Sequence, residues 1–152
     1  MDEIAPAELN LGAARRMLGD LDGAKVMLER ARPAIMKRVL DARAPAEKAE
    51  ATKRACFLGD NLGDLLRDRQ GAHAALPVYE DNVRLAADVP DPWFAATASL
   101  KLAEACAALG RSPRAHEELS KSLEIAGRAR DDEMLASCLL TQGRILSAEG
   151  RA

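Results

Sequence analysis

The sequence predicts an all-α fold of about seven helices in a single domain, and three observations carry that expectation. Ala, Leu, Arg and Glu dominate a chain that is 48% hydrophobic and 30% charged, a balance that is neither disordered nor membranous. Gly and Pro recur at intervals that punctuate helices. Alternating β-branched runs are absent, and aromatics make up only 3%, too few for most β-rich cores. A length of 152 residues fits one domain in which about two-thirds of the unfolded surface can be buried.

The first helix is expected over about 5–18, stopped by Gly19-Asp20. A second opens near Asp22, whose carboxylate can cap free backbone N–H groups. Pro33 ends or kinks a helix. Yet Leu28, Ile35, Val39 and Ala42 continue one stripe at helical spacing, which favours a single kinked helix reaching about Ala42 over two separate ones. Pro45 breaks the chain, and a long helix follows over about 46–69 until Gln70-Gly71 turns it. The next covers about 74–87, and Asp88-Val89-Pro90-Asp91-Pro92 is the clearest loop. A helix then runs from about Pro92, tolerated in a first turn, to Leu109, where Gly110 stops it. Ser112-Pro113 has the order of a cap followed by proline and opens a helix reaching about Arg128. The last helix spans about 131–148, before Gly150.

Three segments share one pattern when their turns are aligned. They are LGAARRMLGDLDGAKVMLERA from Leu11, LGDLLRDRQGAHAALPVYEDNV from Leu62, and LAEACAALGRSPRAHEELSKSL from Leu102. A fourth begins as QGRILSAEGRA from Gln142. Gly12, Gly63, Ala103 and Gly143 are equivalent, and the first three remove bulk where two helix backbones approach. Gly19, Gly110 and Gly150 mark the turns, with Gly71 one place late, and a turn glycine takes a positive φ at no steric cost. Ala24, Ala75 and Ala115 let a second helix lie close, and Leu28, Tyr79 and Leu119, four residues on, fill the layer beneath.

This pattern resembles the tetratricopeptide repeat family, whose helix-turn-helix unit carries a Leu-Gly pair, a Gly-Asp turn and spaced alanines. The resemblance covers roughly 140 residues. The equivalent positions are spaced by 51, 40 and 40 residues, against a usual period of about 34, so the helices are longer than standard, as in the extended, bacterial variants of the family. The resemblance implies a right-handed superhelix of antiparallel helix pairs, an α-solenoid, with repeats over about 5–44, 46–87 and 92–128 and a lone helix over 131–148. Asn82 departs from the pattern, standing where a packing alanine is expected.

Catalytic and metal chemistry find little footing. His73 and His116 are the only histidines, expected at the solvated surface, and no HExxH or Cys/His cluster accompanies them. No nucleophile-plus-base arrangement or cofactor fingerprint is present, so neither an enzyme nor a cofactor or metal is expected. Asp60, Asp64 and Asp68 recur every four residues on one helix face and read as a solvated or partner-facing stripe. A net charge of −2 makes nucleic acid a poor partner, despite a diffuse basic excess between Arg15 and Arg54. The N-terminal stretch MDEIAPAELNLG has no secretory pattern, no window reaches the ~18 uninterrupted apolar residues of a membrane span, and Cys56, Cys106 and Cys138 form no CxxC pair. A cytoplasmic protein with reduced thiols, and no membrane partner, is the expectation.

The resemblance implies a protein-interaction module or adaptor that binds a peptide or protein in a concave groove lined by the first helix of each repeat. Carried over position by position, the groove residues are Asn10, Arg16, Asp60, Asn61, Asp64, Arg67, Lys101, Glu104 and Arg144. Ala13, Met17, Asp68, Ala108, Thr141 and Ser147 lie beside them. Reversing the charge of Lys101, as an exposed groove residue, is expected to leave stability unchanged. Leu9 and Ala13 stand where some members carry a carboxylate clamp, so chaperone-tail binding is not expected. Two other readings compete. One is a regulatory or ligand-sensing domain of a larger signalling or transcription protein. The other is a self-assembling scaffold that uses an unpartnered stripe of Met134, Cys138 and Ile145 on the last helix.

Overall fold

The computed structural model describes residues 4–150, and across them the chain is all-helical. Seven helices follow in order: α1 (Ile4–Met17), α2 (Leu21–Asp41), α3 (Pro45–Gln70), α4 (Ala72–Ala86), α5 (Pro92–Ala108), α6 (Ser112–Ala129) and α7 (Asp132–Ala148). Every expected helix is present, with bounds that differ from the expectation by no more than two residues. No helix among the described residues is long and apolar enough to cross a membrane.

Local chemistry accounts for the ends. Asp20 caps α2 by accepting from Gly23 N at 2.9 Å, Asp91 caps α5 through Trp93 N at 3.0 Å, and Asp131 caps α7 through Met134 N at 2.9 Å. The expected cap at Asp22 is therefore corrected. Asp22 lies inside the first turn of α2, and its carboxylate pairs with Arg69 at the end of α3. Ser112 likewise is the first helical residue and not a cap; Arg111 holds the cap position, with no side-chain hydrogen bond there. Helix α2 continues through Pro33, because the buried apolar contacts of Ala24, Leu28 and Ala31 before that residue and of Ile35 after it outweigh one missing N–H bond. Gly19, Gly71, Gly110 and Gly150 all take positive φ, from 70° to 90°. The turn between α6 and α7 has no glycine, and Arg130 adopts φ 54° instead.

Contacts between helices are local. Each helix packs on its immediate neighbour in the chain, and α1–α3, α3–α5 and α5–α7 also touch, whereas no two even-numbered helices do. The small and large positions of the repeat meet as expected. A Cβ at Gly12 would stand 2.8 Å from Leu28, and one at Gly63 would stand 2.3 Å from the Tyr79 ring. Ala24, Ala75, Ala103 and Ala115 are fully buried, as are Leu28, Tyr79 and Leu119. Asn82 keeps the same inner register. Its amide fits because Gly59, on α3, leaves no side chain in its way.

One expectation about α7 is overturned. Met134, Cys138 and Ile145 are 7%, 0% and 5% exposed, and they join the core formed with α5 and α6. The stripe already has its partner within the chain, so these three residues are unavailable for oligomerisation. The large apolar side chains exposed on α7 are Leu139 and Leu140.

Candidate functional site

The odd-numbered helices lie side by side, so the residues expected in a groove are brought together. They meet chiefly by bonding to one another. The centre is Asp64 on α3, buried at 6% exposure. Its carboxylate accepts from Tyr79 Oη on α4 at 2.7 Å and from Lys101 Nζ on α5 at 2.7 Å. Arg16 Nη2, reaching across from α1, stands 3.3 Å away, and Arg67 Nη1, one turn along α3, stands 3.4 Å away. Arg16 also donates to Asp68 at 3.0 Å. Four helices are thus tied at one carboxylate.

Asp60, one turn earlier on α3, faces the same interior. It accepts from Asn82 Nδ2 at 2.8 Å, and the same amide nitrogen lies 3.1 Å from the Cys56 carbonyl. Both acceptors fix which end of the Asn82 amide carries nitrogen, and Asn82 Oδ1 is left buried without a partner. The two aspartates therefore differ in acidity. Burial pushes the Asp60 carboxyl up to about 6, and neighbouring Asp64 adds to the shift against the opposing pull of Lys101 and the Asn82 bond. Burial also works against ionised Asp64, but Lys101, the Tyr79 hydroxyl and Arg67 outweigh it and hold the carboxyl below its ordinary value. Burial, with Asp64 alongside, raises Tyr79 far above the ordinary phenol value, so its hydroxyl remains a donor.

The other groove residues are placed less centrally. Asn61 is buried, and its side chain donates to the Phe57 carbonyl of its own helix at 2.9 Å. Glu104 on α5 accepts from Thr141 Oγ1 on α7 at 2.9 Å, which continues the polar ribbon to the last helix. Asn10, Ala108 and Arg144 are exposed. The stripe of Asp60, Asp64 and Asp68, read as solvated or partner-facing, is two-thirds internal. The α3 face that carries it is closed over by α1, α4 and α5. The expectation that Lys101 can be reversed without cost is corrected for the same reason, because Lys101 is the counter-ion of a buried carboxylate.

One further side chain departs from expectation. His116 is half-buried, with Nε2 at 3.0 Å from Glu149 Oε1, which links the start of α6 to the residue after α7. The three cysteines are free and all buried, Cys56 included, and burial with Asp60 nearby pushes the Cys56 thiol up to about 12. The residues that sequence reasoning missed are Tyr79 as a hydrogen-bond donor and the Asn82–Gly59 pair. A signal for both was present. Tyr79 and Asn82 are polar groups at inner positions of α4, across from aspartates spaced by four on the preceding helix.

Two clefts flank this region. One of about 660 Å³ lies among α1, α2 and α3, with Glu8, Arg30, Glu50 and Arg54 in its lining. The other, about 320 Å³, lies between α2 and α4 over α3 and is floored by Leu58, Leu62, Leu65 and Leu66. No group of three or more His, Cys, Asp or Glu among the described residues is placed to hold a metal ion. In comparisons with known proteins, no family model, no curated protein and no solved structure matches the chain.

Proposed function

We propose that the chain is a non-enzymatic interaction module of the tetratricopeptide type, an α-solenoid that takes a peptide or protein partner along the surface formed by α1, α3, α5 and α7. The observation that carries this reading is the polar ribbon running across all four odd-numbered helices, from Arg16 through Asp64 and Lys101 to Glu104 and Thr141. Contacts that reach no further than the next helix but one, with odd helices touching and even helices apart, support a curved stack whose inner side is the odd row. In this reading the buried carboxylates hold the ribbon in shape. The partner meets the outward groups, Asn10, Arg67, Asp68, Ala108 and Arg144. The free thiols agree with a cytoplasmic setting.

Photo-crosslinking side chains introduced at Asn10 and Ala108, both exposed, test the surface against His73, exposed on α4. A partner captured from the first two positions and not from His73 supports the odd-helix surface. Capture from His73 alone overturns it.

A further inference from the structure

The three helix pairs share one contact, and α7 carries both halves of it uncovered. In the pairs, a small residue on the odd helix faces a large one on the even helix, Gly12 against Leu28 and Gly63 against Tyr79. Ala103 and Leu119, at the same separation along the chain, are buried in one cluster. Each large residue follows a fully buried alanine by four positions: Ala24, Ala75 and Ala115.

Gly143 is the equivalent small position on α7, and nothing lies within 4 Å of where its Cβ would stand. On the same exposed face, Ala136 and Leu140 reproduce the even-helix pattern of an alanine followed four residues later by a large side chain. Leu140 is 57% exposed, and Leu139 beside it is 59% exposed. The face is a shallow depression with Gly143 and Ser147 in its lining.

We infer that this face pairs with α7 of a second copy of the chain, antiparallel about a two-fold axis, with Leu140 of each copy seated over Gly143 of the other. A surface that holds hole and knob together is self-complementary, which is the requirement of an isologous dimer. Placing Leu140 over Gly143 also sets Ala136 beside Ser147 of the other copy. That is the register in which Ala24 falls beside Arg16 and Ala75 beside Arg67. The dimer contact continues the row of α1–α2, α3–α4 and α5–α6 interfaces by one more pair, and it does not depend on the groove reading.

The test is the mass of the full chain in solution, by light scattering and sedimentation equilibrium from micromolar to submillimolar concentration. The expected result is a dimer that dissociates on dilution. Leu140→Asp and, separately, Gly143→Arg are expected to abolish it with the circular dichroism spectrum unchanged. If Leu140→Asp loses helicity, Gly143→Arg and a cross-link decide. Mixing Leu140→Cys chains with Gly143→Cys chains under oxidation is expected to give a heterodimeric disulfide, the three native thiols being buried. A wild-type monomer at every concentration overturns the inference. So does a dimer that survives both substitutions, or one lost instead on Leu18→Asp, at the 85%-exposed residue after α1.

Discussion

Replacing Gly63 with alanine tests the helix pairing at its tightest point. The added Cβ would stand 2.3 Å from Tyr79 Cε1 and 2.7 Å from Cδ1, so the ring must retreat by about an ångström to reach ordinary contact. It cannot do so freely. Tyr79 is 1% exposed, and its hydroxyl is held at 2.7 Å by Asp64. Overpacking a close contact costs ~1–3 kcal/mol. Loosening a hydrogen bond to a charged group costs a further ~1.5–3 kcal/mol. Against these, alanine in a helix interior gains about 1 kcal/mol over glycine. The balance is a loss of roughly 1.5–5 kcal/mol, measured by urea denaturation with circular dichroism detection.

Gly127→Ala is the control, since it has nothing within 4 Å and should gain up to about 1 kcal/mol. The third repeat supplies a second check. Ala103 and Leu119 already form an alanine–leucine pair in the core. Adding Tyr79→Leu to Gly63→Ala should therefore relieve the clash, giving a double variant more stable than the sum of the two single losses predicts. A Gly63→Ala protein as stable as the wild type would show that the helix approach and the Tyr79 anchor are misassigned.

Asp60 sets a pH dependence. Its carboxyl loses its proton near 3.8 in the unfolded chain and at about 6 in the folded one, so stability from this group is full below the lower value and is lost as pH rises through the upper. Asp60→Asn keeps an acceptor for Asn82, and at pH 7.5 it should stabilise the protein by up to about 3 kcal/mol, with a flatter Tm profile between pH 4 and 7; an unchanged profile would refute the buried charge. Lys101→Met leaves Asp64 without its closest cation and should cost ~3–5 kcal/mol, while Arg144→Met, at an exposed residue, should change stability by less than ~0.5 kcal/mol. Equal effects in thermal melts would count against the network. A thiol reagent such as dithionitrobenzoate should react with the three buried cysteines only as fast as the protein opens, and immediate labelling of any of them would contradict its burial.

What the sequence determined by itself is the local architecture. Helix lengths follow from apolar periodicity, breaks from Gly and Pro, and the pairing of Gly12 with Leu28 and Gly63 with Tyr79 from a small–large pattern repeated along the chain. These are short-range properties, because helix hydrogen bonds join residues four apart and a positive φ is a property of one residue. Even so, the cap of α2 shifts from Asp22 to Asp20, since either aspartate satisfies the local rule and only the pairing of Asp22 with Arg69 separates them.

The tertiary structure decided which polar groups are inside. Asp60, Asp64 and Asp68 share one helix face and one spacing, yet the first two are buried and the third is not. The difference comes from Tyr79, Asn82 and Lys101, which lie 15, 22 and 37 residues away from their carboxylates. The same holds for α7, whose two apolar stripes look alike in sequence. Burial of the Met134–Cys138–Ile145 stripe against α5 and α6 leaves Leu140 and Gly143 exposed, because which face a helix buries depends on the helices packed around it and not on its own spacing.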